Sequence, residues 1–276
     1  MLYLKRLKKT PFTTRTKTKP MEAITQSGNV DTQIQDGIAT ITFEHPAQNS
    51  LPGRLMSLLT EAITHAGQDD TVKVIVLRSA GDRTFCAGAS FDELSAIQDL
   101  ETARRFFMGF ARVINAMRVC PKLIIGRIQG KAVGGGVGLT SSVDYCLATR
   151  HASVKLSELA VGIGPFVVGP AVARKIGLSA MSQLAIDATE WRSAEWAKEK
   201  GLYADVFDSI EEMDAAVAML AQRLAASSPE AMRELKQTFW EGAGHWDQLL
   251  EERAGISGRL VLSAYSKEAI ARFKGK

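Results

Sequence analysis

Two glycine-containing segments of the sequence are placed to offer backbone N–H groups to a shared site. They are residues 85–89 (FCAGA) and residues 132–138 (AVGGGVG), and each follows an apolar, β-branched run typical of a strand. Glycine and alanine allow a ligand to approach the backbone closely. The two segments are therefore predicted to form the two halves of an oxyanion hole, which stabilises negative charge developing on a carbonyl oxygen.

A carboxylate follows the second segment. Glu158 lies in residues 156–159 (LSEL), ahead of a Gly-Ile-Gly-Pro-Phe run at 162–166. A carboxylate beside an oxyanion hole can remove and return protons while the hole holds the resulting charge. Glu158 is therefore the best candidate for a general base, and this chemistry requires neither a metal nor an organic cofactor.

The elements that must position these residues alternate between strands and helices. Strands are predicted at 38–43, 73–79, 123–125, 145–148 and 204–207, and helices from Pro52 to about residue 65 and at 103–119. After Glu158 the pattern is mainly helical, at 171–176, 180–188, 193–200, 209–225, 229–243 and from about Trp246. Such alternation predicts an α/β fold with a helical C-terminal region.

The phenylalanines of the 103–119 helix are predicted to lie in the core, and those at 106 and 110 are predicted to influence the depth of any pocket there. Ser90 is predicted to cap a helix that begins near Phe91. Asp92 and Glu93, which follow it, are interpreted as solvated first-turn acids favoured by the helix dipole. The alternative is that one of them turns inward and supplies a second carboxylate.

The positive charge is concentrated at the N-terminus. Seven of the 34 Lys and Arg residues lie in residues 1–20, which contain no Asp or Glu, although the whole chain has a formal net charge of +4. Three interpretations stand: a targeting peptide, a nucleic-acid-binding arm, or, as the favoured one, an upstream extension from a misplaced start codon. Residues 1–29 are predicted to form a disordered basic extension.

The three cysteines show no paired CxxC spacing. No disulfide framework or metal site is expected, and a cytoplasmic location is predicted. Cys86 lies inside the first glycine segment, where it is interpreted as a small buried apolar residue and not as a nucleophile. No apolar run reaches the length of a membrane helix, so a soluble protein is expected.

Several further segments match one family in order and spacing. They are His45-Pro46, residues 49–51 (NSL), 74–79 (VIVLRS), 84–89 (TFCAGA), 129–136 (QGKAVGGG), Asp144 and Ser157-Glu158. From about Val30 to the C-terminus, the chain resembles the crotonase superfamily, the enoyl-CoA hydratase/isomerase family. The resemblance implies a crotonase-like ββα spiral core and an enzyme that acts on acyl-CoA thioesters without a further cofactor.

The same resemblance implies a role for individual residues. The predicted catalytic set is Glu158, Ala89 and Gly135, and the predicted substrate-binding set is Arg83, Ala87, Gly88, Gly134, Phe166, Phe273 and Lys274. The N–H groups of Ala89 and Gly135 would hold the thioester oxygen. Arg83 would lie near the nucleotide end of CoA, as would Phe273 and Lys274 from the C-terminus.

The reaction type depends on one departure from the family pattern. Hydratases of this family carry a second glutamate at the position of Gly138, whereas a double-bond isomerase can work with one carboxylate. An enoyl-CoA isomerase is therefore favoured. The alternatives are a hydratase with a compensating group and a noncatalytic acyl-CoA- or RNA-binding relative. Hydrolases of the superfamily place an aspartate at the position of Phe166, which is expected to wall the acyl pocket here.

The expected organisation is a spiral core at 30–200 followed by a helical region at 201–276 that packs between subunits. The resemblance implies a homotrimer or a dimer of trimers. An acyl-CoA thioester is the expected ligand, and neither nucleic acid nor membrane is an expected partner.

Overall fold

The structure, a computed structural model, describes residues 27–274, and side chains among them up to residue 272. The strands are β1 (Asn29–Gln35), β2 (Ile38–Glu44), β3 (Val74–Ser79), β4 (Thr84–Cys86), β5 (Leu123–Ile128), β6 (Lys131–Val133), β7 (Tyr145–Thr149), β8 (Val154–Lys155) and β9 (Asp205–Phe207). Six of them form one sheet in the order β1-β2-β3-β5-β7-β9. Only the β1–β2 pair within that sheet is antiparallel.

A second, three-stranded sheet has the order β4-β6-β8, and its strands are parallel. Its three strands alternate along the chain with β3, β5 and β7 of the larger sheet. The chain therefore moves repeatedly from one sheet to the other, which places the ends of β4 and β6 side by side. Those ends carry the two glycine-containing segments.

The helices follow the strands. They are α1 (Gly53–Gln68), α2 (Phe91–Ala96), α3 (Leu100–Val119), α4 (Gly135–Ser142), α5 (Gly169–Ile186), α6 (Ala194–Glu199), α7 (Ile210–Ala225), α8 (Pro229–Phe239), α9 (Trp246–Val261) and α10 (Ala264–Lys274), with a short 3-10 helix at Glu158–Val161. The predicted α/β class is confirmed. Ser90 caps α2 as predicted, since its hydroxyl accepts a hydrogen bond from the N–H of Glu93 at 3.3 Å.

Apolar residues cover both faces of the larger sheet, which explains the nearly continuous apolar sequence of its central strands. One face belongs to the main core, which includes Ile75 and Leu77 of β3. The other face, with Val74 and Val76, packs against Met213 of α7. Helix α7 is thus part of the sheet's packing.

Two boundaries differ from the sequence-based expectation, and one predicted break is present. Strand β9 lies beyond residue 200 and still forms an edge of the main sheet, so that sheet crosses the boundary predicted there. The separation predicted between the helices at 171–176 and 180–188 is confirmed, since α5 is interrupted at Gly177, where φ is +79° and ψ is 157°. The predicted final helix is divided into α9 and α10 around Leu262.

Some predicted features lie outside the described residues. These are residues 1–26 of the predicted basic extension and the side chains of Phe273 and Lys274, whose backbone ends α10. Among the helices at 27–274, none combines the length and apolar character that a membrane span requires.

Candidate active site

The first glycine segment lies directly against the second. Gly88 has φ of +85°, in the left-handed region that favours glycine. A Cβ on Gly88 would lie 2.7 Å from the carbonyl oxygen of Val133 and 3.4 Å from the nitrogen of Gly135. This close approach follows from the parallel pairing of β4 with β6. Only glycine permits the contact without displacing the backbone.

The second segment turns from β6 into helix α4. Gly134 precedes the helix with φ of +51°, and Gly135 is its first residue. The first N–H groups of a helix lack partners within it and carry partial positive charge. A side chain on Gly135 would overlap the ring of Phe110. Glycine at this position therefore allows Phe110 of α3 to pack against the start of α4.

The two candidate oxyanion donors are unpaired. Within the described part of the chain, neither the N–H of Ala89 nor that of Gly135 donates to a protein acceptor. Their neighbours are engaged, because Ser90 donates to the carbonyl of Leu51 at 3.4 Å and Gly134 donates to that of Lys155 at 2.8 Å. Hydrogen bonds on either side thus hold the backbone while these two donors stay available to a ligand.

Glu158 lies beside the second segment, at the start of the short 3-10 helix. A Cβ on Gly134 would lie 3.1 Å from Glu158 Oε1. The residue is partly exposed, whereas its Oε2 atom is buried and has no hydrogen-bond partner among the described residues. Burial raises the pKa of Glu158 to about 7, opposed by a hydrogen bond from its own backbone N–H.

These groups surround one small cavity. It is lined by Ala89, Phe107, Phe110, Gly135, Glu158, Gly164, Pro165, Phe166, Val167, Val168 and Ser257. Its volume is about 40 Å³, room for a few water molecules. Apart from Glu158, Ser257 and the two backbone donors, the lining is apolar. In such a low-dielectric setting, two aligned N–H dipoles stabilise a developing oxyanion more strongly than they would in water.

The space beside Gly138 is filled. A Cβ on this residue would lie 2.5 Å from Cγ1 and 2.8 Å from Cβ of Val168. Glu93, weighed from the sequence as an inward-turning carboxylate, instead accepts a hydrogen bond from the N–H of Gly53 at 2.8 Å and so caps α1. Among the described residues, Glu158 is the one carboxylate that lines the cavity.

The structure brings together some of the predicted site residues and separates others. Ala89, Gly135, Glu158 and Phe166 meet at the cavity, and Ala87, Gly88 and Gly134 belong to the backbone segments beside it. Arg83 is exposed and lines a different surface hollow, next to His45. Its predicted role therefore concerns a part of a ligand outside the cavity.

Two cavity residues differ from the sequence-based expectation. Phe107 lines the cavity where Phe106 was expected, and the two rings contact each other edge to face at 5.5 Å. Ser257 was not singled out, because it lies in α9, far along the chain from both glycine segments. The one signal in the sequence for Ser257 was that a serine interrupts the apolar stripe of α9.

Nucleophilic attack by a cysteine and catalysis by a bound metal ion have little support in the described residues. Cys86 is buried, and burial raises the pKa of its thiol to about 12, which keeps it protonated. Among residues 27–274, no three His, Cys, Asp or Glu side chains are arranged to hold a metal ion. The cavity is thus suited to proton transfer by one carboxylate beside two oxyanion donors.

Comparison with known proteins agrees with this geometry. Residues 33–275 match the model of the family described as Enoyl-CoA hydratase/isomerase. The chain belongs to this family. Its members among the relatives of this chain are named as enzymes, both hydratases and isomerases. The predicted membership of the crotonase superfamily is confirmed, and so is the prediction of an enzyme.

Relatives within the family carry different activities. The chain is 30% identical to the peroxisomal Delta(3,5)-Delta(2,4)-dienoyl-CoA isomerase of Arabidopsis thaliana, over 64% of this chain and 67% of that protein. It is 27% identical to the short-chain-enoyl-CoA hydratase of Clostridium acetobutylicum, over 78% of this chain and 82% of that protein. Sequence similarity alone is therefore consistent with either isomerisation or hydration.

A solved structure supports the fold. The crystal structure of an enoyl-CoA hydratase from Bacillus halodurans has a TM-score of 0.82, covering 88% of this chain and 99% of that one at 22% identity. The crotonase-like core predicted from the sequence is thereby confirmed for this family member.

Proposed function

We propose that this family member is an enoyl-CoA isomerase that shifts a carbon–carbon double bond with Glu158 as its single proton carrier. The observation that carries the proposal is the cavity's carboxylate content. Glu158 is the one carboxylate lining it among the described residues, and Val168 fills the space in which a side chain at position 138 would begin. Orienting a water molecule between two carboxylates is thus disfavoured, whereas moving a proton between two carbons needs only one.

The reaction begins with a thioester whose double bond lies between C3 and C4. Glu158 removes a proton from C2, and the electron pair of that C–H bond moves toward the thioester oxygen to form a dienolate. The N–H groups of Ala89 and Gly135 stabilise the negative charge on that oxygen. Loss of one such donor typically lowers kcat by about 10²–10³-fold.

The second half of the reaction returns the proton to C4. The electron pair moves back from the oxygen, the double bond forms between C2 and C3, and Glu158 is again a carboxylate. A base with a pKa near the working pH serves both halves well, because it must first accept and then donate a proton. The raised pKa of Glu158, about 7, meets this requirement.

The rest of the substrate is assigned by position. Phe166 would wall the acyl group, and the backbone of Ala87, Gly88 and Gly134 would lie along the thioester. Arg83 would contact the nucleotide end of CoA at the surface hollow outside the cavity. The predicted contributions of Phe273 and Lys274, and assembly as a homotrimer or a dimer of trimers, belong to the same proposal.

Product analysis tests the reaction. The full-length protein is incubated separately with 3-hexenoyl-CoA and 2-hexenoyl-CoA. The products are separated by chromatography, which distinguishes double-bond isomers, and their masses are measured by mass spectrometry, which detects added water. Double-bond migration without a gain of water supports isomerisation. Glu158→Gln should reduce the rate by about 10²–10⁴-fold. Glu101→Gln, which removes an exposed carboxylate from the first turn of α3, is the matched control and should retain activity.

The outcome that contradicts the proposal is equally specific. A water adduct that forms from 2-hexenoyl-CoA, depends on Glu158 and exceeds double-bond migration would identify a hydratase. Another group would then have to orient water in place of a carboxylate at position 138.

A further inference from the structure

Ser257 is a polar cavity residue that the proposed reaction does not use. It lies on α9, is 1% exposed and lines the cavity with Phe107 and Phe110. Its hydroxyl makes no hydrogen bond to any described residue. A serine hydroxyl both donates and accepts hydrogen bonds, so one that lines a cavity can pair with a molecule bound there.

Other helical hydroxyls of this protein find a partner in their own helix. Thr60 donates to the carbonyl of Met56 at 2.9 Å, Thr140 to that of Gly136 at 2.9 Å and Ser142 to that of Gly138 at 2.7 Å. Each bond connects a side chain to the carbonyl four residues earlier, the usual arrangement for serine and threonine within a helix. Ser257 makes no such bond to Arg253, so its hydroxyl is available to a molecule in the cavity.

The packing of α9 holds Ser257 in place. The next residue, Gly258, lies against α3, where a Cβ would be 3.2 Å from the nitrogen of Arg104 and 3.4 Å from the Cβ of Ala103. Withdrawing Ser257 from the cavity would require separating these helices beside this close contact. A group held on a rigid element in this way can select between ligands, because it does not adapt to a poor one.

The cavity contents then decide what the hydroxyl can bind. Ser257 and Glu158 share a space with a volume of about 40 Å³ and otherwise apolar side chains. A plain alkyl chain would displace water and leave the hydroxyl without a partner, which is unfavourable. An acyl group that carries an oxygen would both fill the space and pair with the hydroxyl.

We infer that Ser257 is a specificity-determining residue that selects acyl-CoA thioesters with a hydroxyl group on a short acyl chain. The inference rests on the proposed binding of an acyl-CoA in this cavity. It assigns Ser257 to substrate choice, whereas proton transfer belongs to Glu158.

Binding of unreactive thioesters tests the inference separately from the reaction. Hexanoyl-CoA and its 4-hydroxy, 5-hydroxy and 6-hydroxy derivatives have no double bond to move. Their Kd values are measured by calorimetry with the full-length protein, Ser257→Ala and Ser141→Ala. Ser141 is also a buried helical serine with an unpaired hydroxyl, but it does not line the cavity, which makes Ser141→Ala the matched control.

At least one hydroxylated thioester should bind the unaltered protein about tenfold more tightly than hexanoyl-CoA, as expected for one added hydrogen bond. Ser257→Ala should remove that preference, and Ser141→Ala should retain it. Equal affinities for all four thioesters would overturn the inference. A uniform loss of affinity in Ser257→Ala would also overturn it, since that result indicates a packing role.

The two proposals fail in different ways. Selective binding without any double-bond shift would contradict the isomerase proposal and leave the role of Ser257 supported. Double-bond migration without selective binding would support the isomerase proposal and contradict the role of Ser257. Failure of all four thioesters to bind would overturn acyl-CoA binding in this cavity, and the role of Ser257 with it.

Discussion

Val168 stands where a side chain on residue 138 would begin. A Cβ added to Gly138 would lie 2.5 Å from Val168 Cγ1, closer than real Cβ contacts come. The glycine and the valine are therefore complementary: one leaves a space and the other fills it. Replacement of the glycine by a larger residue is thus predicted to disturb packing as well as chemistry.

Gly138→Ala should lower the free energy of unfolding by about 1–3 kcal/mol, the usual range for overpacking in a close-packed interior. Val168→Ala in the same chain should recover part of that loss, because it removes Cγ1, the nearer of the two clashing atoms, although Cβ at 2.8 Å remains. Urea unfolding of the single and double variants measures the coupling. Gly255→Ala is the control, since nothing lies within 4 Å of a Cβ at that helical position. Equal effects of Gly138→Ala and Gly255→Ala would refute the packing argument.

Glu158→Gln should stabilise the protein in a pH-dependent way. The pKa of Glu158 is about 7 in the folded protein against 4.5 for an exposed glutamate in the unfolded chain, so the folded state holds the proton more tightly. The unaltered protein therefore loses stability as the pH rises from about 4.5 through 7, by up to about 3 kcal/mol. Glutamine does not titrate and escapes this loss. Urea unfolding at pH 5 and pH 8 should show a gain for Glu158→Gln only at pH 8; a gain of equal size at both would contradict the burial effect.

The rate of isomerisation should follow the ionisation of the same carboxylate. Because the base must be deprotonated to act, kcat/KM is expected to rise with pH, with a midpoint near 7. The measurement is made with 3-hexenoyl-pantetheine as well as the CoA thioester, since pantetheine lacks phosphates that titrate near pH 6. A midpoint near 4.5 with both substrates would show that Glu158 is solvated during catalysis.

Proton transfer by one shielded carboxylate should leave an isotopic record. In D₂O, part of the product from 3-hexenoyl-CoA should carry two protium atoms at C4, one original and one transferred, because Glu158 returns the proton it removed before exchange with solvent is complete. Mass spectrometry of product formed in the first few turnovers measures the retained fraction. One deuterium at C4 in all of the product would indicate that the returned proton comes from solvent or from a second group.

The ion pair between Lys236 and Asp144 should matter more for stability than an exposed pair of similar length. Their side chains are 3% and 4% exposed and 2.8 Å apart, and Asp144 also accepts hydrogen bonds from the N–H of Ile124 and the indole of Trp240. Lys236→Met should cost about 3–5 kcal/mol of unfolding free energy, since it leaves a buried carboxylate without its paired cation.

The control for that variant is an exposed pair. Lys198 and Asp205 are 2.7 Å apart and about half exposed. Lys198→Met should cost at most about 1 kcal/mol, because solvent already screens the charges. Guanidinium unfolding of both variants makes the comparison. Similar losses for the two would indicate that burial does not determine the strength of the pair.

Much of the architecture is predictable from local sequence patterns. The apolar runs of β3 and β5 predict buried parallel strands, and Ser90 predicts the start of α2. These patterns work because the type of an element and its buried face depend on residues close together in the chain. The break at Gly177 within α5 also agrees with the local pattern, whereas the break near Leu262 was not predicted, since it depends on how the chain packs.

The sequence by itself determined the chemical groups of the candidate site: a carboxylate at Glu158, two glycine segments and a glycine at position 138. Only the tertiary structure decided that Val168 fills the space at position 138, that Glu93 turns to α1 and that Ser257 reaches the cavity from α9. These contacts join residues that are distant in the chain. Local periodicity carries no information about them, because close packing between separate elements sets which side chains meet.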